Sequence, residues 1–272
     1  MMLTLVYGAV VGLVLGLTGA GGGILAVPAL VLGMGWPPQA ATPVALLAVG
    51  FSAALGAFDG LRKGLVRWRA ALLMASLGIC FSPLGVWIAH ALPQPVLMTL
   101  FAAAMFFAAA RLLRQNLRGA SPSGNLPAEA ISAAEKNCVL DPSSGRLRWT
   151  SRCAATLSCI GSCSGLLTGM LGVGGGFLIV PAFRQWTDIR MHGVVATSLL
   201  VIALVSLGAT VSALHAGAQV GSAGLVFILA AMTGMLAGRQ LAPRVRSEIL
   251  QISFASLSIA VAVALLYRTW LP

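Results

Sequence analysis

The chain has 272 residues, of which 58% are hydrophobic and only 8% are charged. A water-soluble globular domain carries roughly 25% charged residues, so this composition excludes that class and indicates a protein of the lipid bilayer. The formal net charge is +11, but the 17 basic residues lie almost wholly between the apolar segments. The charge therefore indicates orientation in a membrane and not nucleic-acid binding.

Apolar segments follow one another along most of the chain, and a helix that crosses a bilayer needs about 20 such residues. Residues 117–150 interrupt the pattern with prolines, glycines and mixed charge and are interpreted as a polar linker. The sequence thus predicts an all-α polytopic membrane protein with a first repeat (1–116), the linker (117–150) and a second repeat (151–272). The apolar segments are 2–33, 39–58, 70–92, 95–113, 153–183, 192–216, 222–242 and 249–268.

An internal repeat relates the two halves. Residues 12–30 (GLVLGLTGAGGGILAVPAL) and 165–183 (GLLTGMLGVGGGFLIVPAF) agree at eleven of nineteen positions. An Ala-Thr pair, ending at Thr42 and at Thr197, opens the next apolar segment of each half. The repeat predicts two homologous halves, each with a glycine-broken helix followed by three transmembrane helices.

The orientation of the halves depends on whether the glycine-broken segment crosses the membrane or turns back. If it crosses, each half spans four times and the basic residues divide 12 to 5 between the two faces. If it re-enters, each half spans three times, an odd number, and the division is 16 to 1. Basic loops favour the cytoplasm, so the second arrangement is favoured. It predicts inverted repeats with both termini outside.

The repeated glycine triplets predict breaks in the helices, because glycine costs roughly 1 kcal/mol against alanine inside a helix. Irregular backbone at membrane depth is tolerated only where it is buried in protein or lines a wet cavity. A half-helix that begins there points free N–H groups and a positive dipole end inward, which attracts an anion. Transporters with inverted repeats use such ends at the bilayer midplane. We therefore predict an anion site formed by Gly19, Gly21, Gly22, Gly23, Gly172, Gly174, Gly175 and Gly176.

Two further interpretations of these motifs stay open. The glycines can instead serve only to let membrane helices approach closely. The hydroxyls of Thr42, Thr197 and Ser198 near the starts of the second segments can donate to a substrate oxygen, or bond back to carbonyls of their own helices.

Other reactive side chains carry weaker signals. Asp59 ends the second segment just before a basic loop and is interpreted as a partner of that loop. The five cysteines show no paired framework and no metal-ligand spacing. Residues 161–165 (GSCSG) resemble a nucleophile elbow, but they lie in an apolar helix without a nearby carboxylate, so an enzyme is disfavoured.

The paired G-x-G-G-G-x-L-x-V-P segments and the Ala-Thr openings resemble the TauE/SafE family of sulfite exporters. The resemblance implies a multi-pass transporter of the bacterial inner membrane for anions such as sulfite and organosulfonates. By motif position, residues 21–23 and 174–176 would correspond to the glycine turns of the family. Pro43 follows the first Ala-Thr where the second half has Ser198, which departs from the pattern.

The sequence thus predicts a secondary transporter that moves a small sulfur-containing oxyanion by alternating access. Its expected partners are membrane lipid and the anionic substrate, and a homo-oligomer is left open. No cofactor or ATP is expected. A passive anion channel and a membrane scaffold without transport are the alternatives.

Overall fold

The computed structural model describes residues 2–18, 22–119, 138, 150–187, 191–215, 217, 220–242 and 247–270. The predicted linker, 117–150, therefore lies almost entirely outside the described residues. Within these ranges the chain forms helices throughout. They are α1 (Met2–Thr18), a 3₁₀ helix (Gly22–Leu25), α2 (Ala26–Met34), α3 (Pro38–Arg62), α4 (Trp68–Ala91), α5 (Gln94–Gly119), α6 (Ser151–Leu171), α7 (Gly176–Trp186), α8 (Met191–His215), α9 (Ser222–Leu241) and α10 (Ser247–Trp270).

In the parts of the chain that the structure describes, seven helices are long and apolar enough to cross a bilayer, namely α3 to α6 and α8 to α10. The helix α1 and the stretch through α2 are apolar but shorter. Large apolar side chains such as Trp87 (70% exposed) and Leu229 (62% exposed) face outward, as expected where lipid is the solvent. The prediction of an all-α polytopic membrane protein is confirmed.

The long helices of one half pack mainly against helices of the other half, whereas α2 and α7 pack mainly against α3 and α8 of their own halves. The main pairs are α1 with α9, α4 with α6, α3 with α8 and α5 with α10. Exchanging the halves, so that α1 corresponds to α6 and α4 to α9, turns the first pair into the second. The folding core is thus shared between the halves.

Glycines make two of these contacts unusually close. A Cβ atom added at Gly12 of α1 would lie 2.0 Å from the carbonyl oxygen of Ala231 in α9. A Cβ atom at Gly165 of α6 would lie 2.2 Å from the carbonyl oxygen of Gly78 in α4. Since the obstacles are backbone atoms, these helices touch backbone to backbone, as small residues allow in membranes.

The order of contacts along α1 and α9 shows that the two helices run in the same direction. Gly8 meets Phe227, and Gly16, two turns later, meets Met235. In turn α9 runs parallel to α3, because Gly224 meets Val44 near the starts of both helices and Arg239 bonds Gly56 near their ends. The helices α1 and α3 are therefore parallel.

The second half shows the same relation. Gly161 of α6 meets Met74 of α4 and Gly169 meets Ser82, so α6 and α4 are parallel. The helices α3 and α8 are antiparallel, because Gly60 near the end of α3 packs against Ala196 near the start of α8. Since α4 follows α3 in the opposite direction, α4, α6 and α8 share one direction.

These directions place the ends of α3, α5, α7 and α9 with the starts of α4, α6 and α8, which we call the basic end. The guanidinium of Arg239 at the end of α9 pairs with Asp59 near the end of α3. The backbone N–H of Arg67 before α4 donates to Thr197 Oγ1 near the start of α8. We call the opposite end, where α3 and α5 start, the cavity end.

The end of α7 is held beside the start of α6 by a cysteine pair. Cys138 is joined to Cys153 near the start of α6 by a disulfide. Its N–H donates to the carbonyl of Trp186 at the end of α7, at 3.1 Å. The interpretation that the cysteines form no pairs is therefore wrong, because the partner of Cys153 lies inside the linker and spacing alone did not reveal it.

Replacing a glycine at a backbone contact should destabilise the fold. We expect Gly12→Val to lower the thermal unfolding temperature of the detergent-solubilised protein, because overpacking costs about 1–3 kcal/mol and backbone cannot move aside easily. Gly221→Ala is the control, since a Cβ there meets nothing within 4 Å. Equal unfolding temperatures for both variants would contradict the backbone contact between α1 and α9.

Candidate functional site

The chain between α6 and α7 leaves helical geometry at three glycines. Gly172, Gly174 and Gly175 have φ values of 70°, 73° and 62°, a left-handed conformation that side chains rarely adopt. Gly175 is the residue that precedes α7, and residues 171–177 are all buried. The N–H groups of Leu178 and Ile179 donate to the Gly175 carbonyl at 3.1 and 3.2 Å. The N–H groups of Gly176 and Phe177 at the start of α7 precede the first hydrogen bond within the helix.

Side chains from three helices surround this segment. The Cβ position of Gly174 lies 2.9 Å from Val49 Cγ1 of α3 and 3.1 Å from Ser206 Oγ of α8. The Cβ position of Gly175 lies 2.8 Å from Thr168 Oγ1 of α6. The segment therefore has no room for larger residues, and hydroxyls lie close to it.

The corresponding segment of the first half approaches the same place. Gly19 and Gly21 lie outside the described residues, and Gly22 begins the 3₁₀ helix that leads into α2. The Cβ position of Gly23 lies 2.9 Å from the carbonyl oxygen of Val173 and 3.1 Å from Val49. The two glycine segments thus meet at Val49, half-way along α3.

The three hydroxyls singled out from the sequence lie in different surroundings. Thr42 Oγ1 donates to the Pro38 carbonyl at 2.8 Å, and its methyl group faces Gly172. Ser198 Oγ donates to the Val195 carbonyl at 2.9 Å. Thr197 is buried at the basic end, where it accepts from the α3–α4 loop. Of the three, Thr42 lies beside a glycine segment.

Sequence reasoning missed Ser206, whose hydroxyl lies nearer to a glycine segment than those of Thr197 and Ser198. Its side chain is fully buried and its hydroxyl has no hydrogen-bond partner among the described residues. Ser52 on α3 is buried and unpartnered in the same way. The two serines are 154 residues apart, close to the spacing of the repeat, and that spacing was the signal that could have found them.

A cavity of about 250 Å³ lies at the cavity end. It reaches the last turn of α6 at Gly169 and Met170, just before the glycine segment. Its other walls come from the starts of α3 and α5, the ends of α4 and α8, and Gly217, two residues after α8. They are Pro38, Gln39, Thr42, Pro43, Val86, Ala89, His90, Leu97, Ala213 and Gly217.

Charged groups lie at the basic end instead. Arg239 of the second half donates to the Gly56 carbonyl at 2.6 Å and pairs with Asp59 of the first half at 2.5 Å. Lys63 pairs with Asp59 at 2.8 Å from the more exposed side. Asp59 is therefore a partner of its own loop, as predicted from the sequence. It also joins the two halves through Arg239, which the sequence did not predict.

Two of the histidines and the elbow-like motif lie in ordinary helical settings. The Nδ1 atoms of His90 and His215 lie 2.8 Å from carbonyl oxygens one turn earlier in their own helices, and both side chains are exposed. Residues 161–165 lie within α6, where Gly161 and Gly165 pack against α4. A nucleophile elbow needs a sharp strand-to-helix turn, which a continuous helix does not provide.

The fold and the paired glycine segments define a polytopic helical membrane protein with a duplicated core. The chain belongs to the sulfite exporter TauE/SafE family, whose model matches residues 4–265. It is similar to a probable membrane transporter protein of Xylella fastidiosa, with 29% identity over 273 residues that cover 99% of this chain and 96% of the relative. The chain is thus a membrane transporter.

A longer relative shows the same likeness over part of its length. The probable membrane transporter protein MamO of Paramagnetospirillum magneticum is 27% identical over 286 residues, which cover 94% of this chain and 44% of the relative. MamO of Magnetospirillum gryphiswaldense is 24% identical over 269 residues, covering 92% of this chain and 42% of that protein.

Proposed function

We propose that this protein carries a small sulfur-containing oxyanion across the bacterial inner membrane by alternating access. The anion is held by backbone amides where the two glycine segments meet. The observation that carries this proposal is the approach of Gly23 to Val173, which brings both breaks to one point at the middle of α3. Amide groups at helix starts bind anions without a cationic side chain.

The electrostatics of this point support an anion with a single charge. A helix N-terminus carries roughly half an elementary positive charge, so α7 and the segment leading into α2 together supply about one. Among the described residues, the fully buried polar side chains are all serines and threonines. A dianion would be left half-compensated in a medium of low dielectric constant, which is costly. Organosulfonates, which carry one charge, fit better than fully ionised sulfite.

The helix directions support inverted repeats. Since α1 and α3 are parallel, the intervening α2 returns to the end where α1 began, and Gly33 of α2 lies against Tyr7 of α1. In the second half α6 and α7 likewise start and finish at the basic end. A topology with three crossings in each half assigns 16 of the 17 basic residues to that side of the membrane. Basic segments favour the cytoplasm, so the basic end is cytoplasmic and both termini are outside.

This orientation places the disulfide of Cys138 and Cys153 on the cytoplasmic side. Thiol systems keep most cytosolic cysteines reduced, and Cys138 and Cys153 would lie on that side of the membrane, where both are buried in the protein. The end of α7 does not depend on that bond alone, because Arg111 of α5 donates to Gln185 and lies 3.5 Å from the Pro181 carbonyl. The orientation is therefore compatible with either state of the pair.

A difference between the two ends supports alternating access. The repeat places Val86 opposite Arg239 at a displacement of 153, and Leu214 opposite Asp59 at 155. The ion pair that closes the basic end thus has apolar counterparts at the cavity end, where Val86 lines the cavity. We assign this structure to a state open to the outside. Closing the cavity end and separating Arg239 from Asp59 would expose the site to the cytoplasm.

The membrane potential gives the transport a direction in the absence of a coupling ion. A cytoplasm-negative potential favours exit of an anion by about 2.3 kcal/mol per charge for each 100 mV. Export therefore needs no nucleotide. The closed basic end favours a carrier over the alternative of a passive channel, which needs both ends open together.

A change at the second break should abolish transport. We expect Gly175→Ala to lower counterflow of an alkyl sulfonate in proteoliposomes at least about tenfold, because lost hydrogen bonds to a charged group cost about 1.5–3 kcal/mol. Gly64→Ala is a matched control, since its φ of 66° is similar but a Cβ there meets nothing within 4 Å. If both variants transport at the same rate, the break does not hold the anion.

Weakening the inter-half ion pair should open the basic end. Ala196→Cys, in a variant whose exposed cysteines are replaced by serine, reports on this end because Ala196 is buried against Gly60. We expect Arg239→Gln to raise the labelling of this cysteine by a polar thiol reagent at least about threefold. A partly exposed ion pair contributes only about 0–1 kcal/mol, so its loss should open this end without unfolding the protein.

Lys63→Gln is the control for this measurement. It removes the outer pair with Asp59, in which Lys63 is 61% exposed, and leaves Arg239 in place. Labelling should therefore stay near that of the parent protein. Unchanged labelling in Arg239→Gln, or an equal rise in both variants, would contradict a gate formed by Arg239 and Asp59.

A further inference from the structure

Ser206 differs from the hydroxyls around it. Ser164 donates to the Gly161 carbonyl at 2.9 Å, Thr168 to the Ser164 carbonyl at 2.6 Å, and Thr210 to the Ser206 carbonyl at 2.8 Å. These bonds satisfy buried hydroxyls within their own helices. The Ser206 hydroxyl is equally buried but makes no such bond among the described residues. An unpartnered buried hydroxyl is unfavourable and requires an explanation.

The position of Ser206 supplies one. Its Oγ lies 3.1 Å from the Cβ position of Gly174, which is two residues before the start of α7. Its Cβ lies 3.2 Å from the Cβ position of Gly50, so the side chain is enclosed between α3 and the glycine segment. The hydroxyl is therefore buried beside the glycine segment that leads into α7.

We propose that the Ser206 hydroxyl donates a hydrogen bond to an oxygen of the transported anion. This inference rests on the proposed function and adds the side chain that determines selectivity. The amides of α7 supply positive potential to any anion, whereas a hydroxyl at a fixed position favours one with an oxygen within its reach. Halide ions, which are spherical and have no such oxygen, should gain less from Ser206 than a sulfonate does.

Ser52 of α3 makes the corresponding contribution in the first half. It is fully buried and unpartnered, and it lies one helical turn after Val49, the residue that contacts both glycine segments. The repeat therefore relates one buried, unpartnered hydroxyl in each half to the other. A sulfonate group has three equivalent oxygens, enough to accept from both halves at once.

A purely structural role for Ser206 predicts a different outcome. If the serine is only a small residue that lets α3 approach, alanine serves equally well and transport is unchanged. If the hydroxyl binds the anion, Ser206→Ala lowers affinity without lowering stability, since removing an unpartnered hydroxyl leaves no partner unsatisfied. Loss of affinity with retained stability therefore separates the two roles.

The test uses the full-length protein in proteoliposomes with ethanesulfonate as the probe. We expect Ser206→Ala to raise the KM for counterflow about tenfold or more and to leave the unfolding temperature unchanged or higher. The KM for chloride should rise less than the KM for ethanesulfonate. Ser258→Ala is the matched control, because Ser258 is also buried and unpartnered but lies on α10, which packs mainly against α5.

Two different results would overturn the role of Ser206 and the proposed function separately. If the parent protein moves ethanesulfonate and Ser206→Ala has the same KM, the role of Ser206 is overturned while the proposed function stands. If the parent protein moves none of ethanesulfonate, sulfite and thiosulfate, the proposed function itself fails.

Discussion

Inside a bilayer, backbone N–H and C=O groups must find partners within the protein, because lipid offers none and each unsatisfied group costs several kcal/mol. The two glycine segments break this rule unless the rest of the protein shields them. The segments are enclosed by α3, α6 and α8, and the backbone-close pairs α1–α9 and α4–α6 hold the two halves together around them. The duplicated core can therefore be understood as the enclosure that makes two broken helices tolerable.

The enclosure is nearly symmetric, but its two ends are not. At the basic end Arg239 bridges the halves through Asp59 and the Gly56 carbonyl. At the cavity end the corresponding positions carry apolar Val86 and Leu214. An ion pair opens and closes differently from an apolar contact, so the two ends can respond differently to the membrane potential and to the charge of the substrate. A symmetric core with unlike ends suits a carrier that works mainly in one direction.

Much of the fold could be predicted from the sequence, because composition and repeat spacing are strong signals in membrane proteins. The apolar segments agree closely with the helices, and the motif identified the family. The sequence did not show which glycines serve for packing and which break a helix. Gly12 and Gly165 pack against backbone atoms, whereas Gly174 and Gly175 have positive φ values. The ion pair of Arg239 and the pairing of Cys138 depend on which segments meet in space, which spacing along the chain does not specify. The repeat spacing relates Ser206 to Ser52, but it does not show that their hydroxyls are buried and unpartnered.

We propose that both glycine segments hold one anion between them. The most direct measurement is an experimental structure with bound 2-bromoethanesulfonate, whose bromine locates the anion by anomalous scattering. We expect the sulfonate group to lie between Gly23 and the start of α7, within hydrogen-bonding distance of Ser206 Oγ. Anion bound only in the outer cavity near Gln39, with Gly23 and Val173 still in contact and no space between the segments, would contradict it.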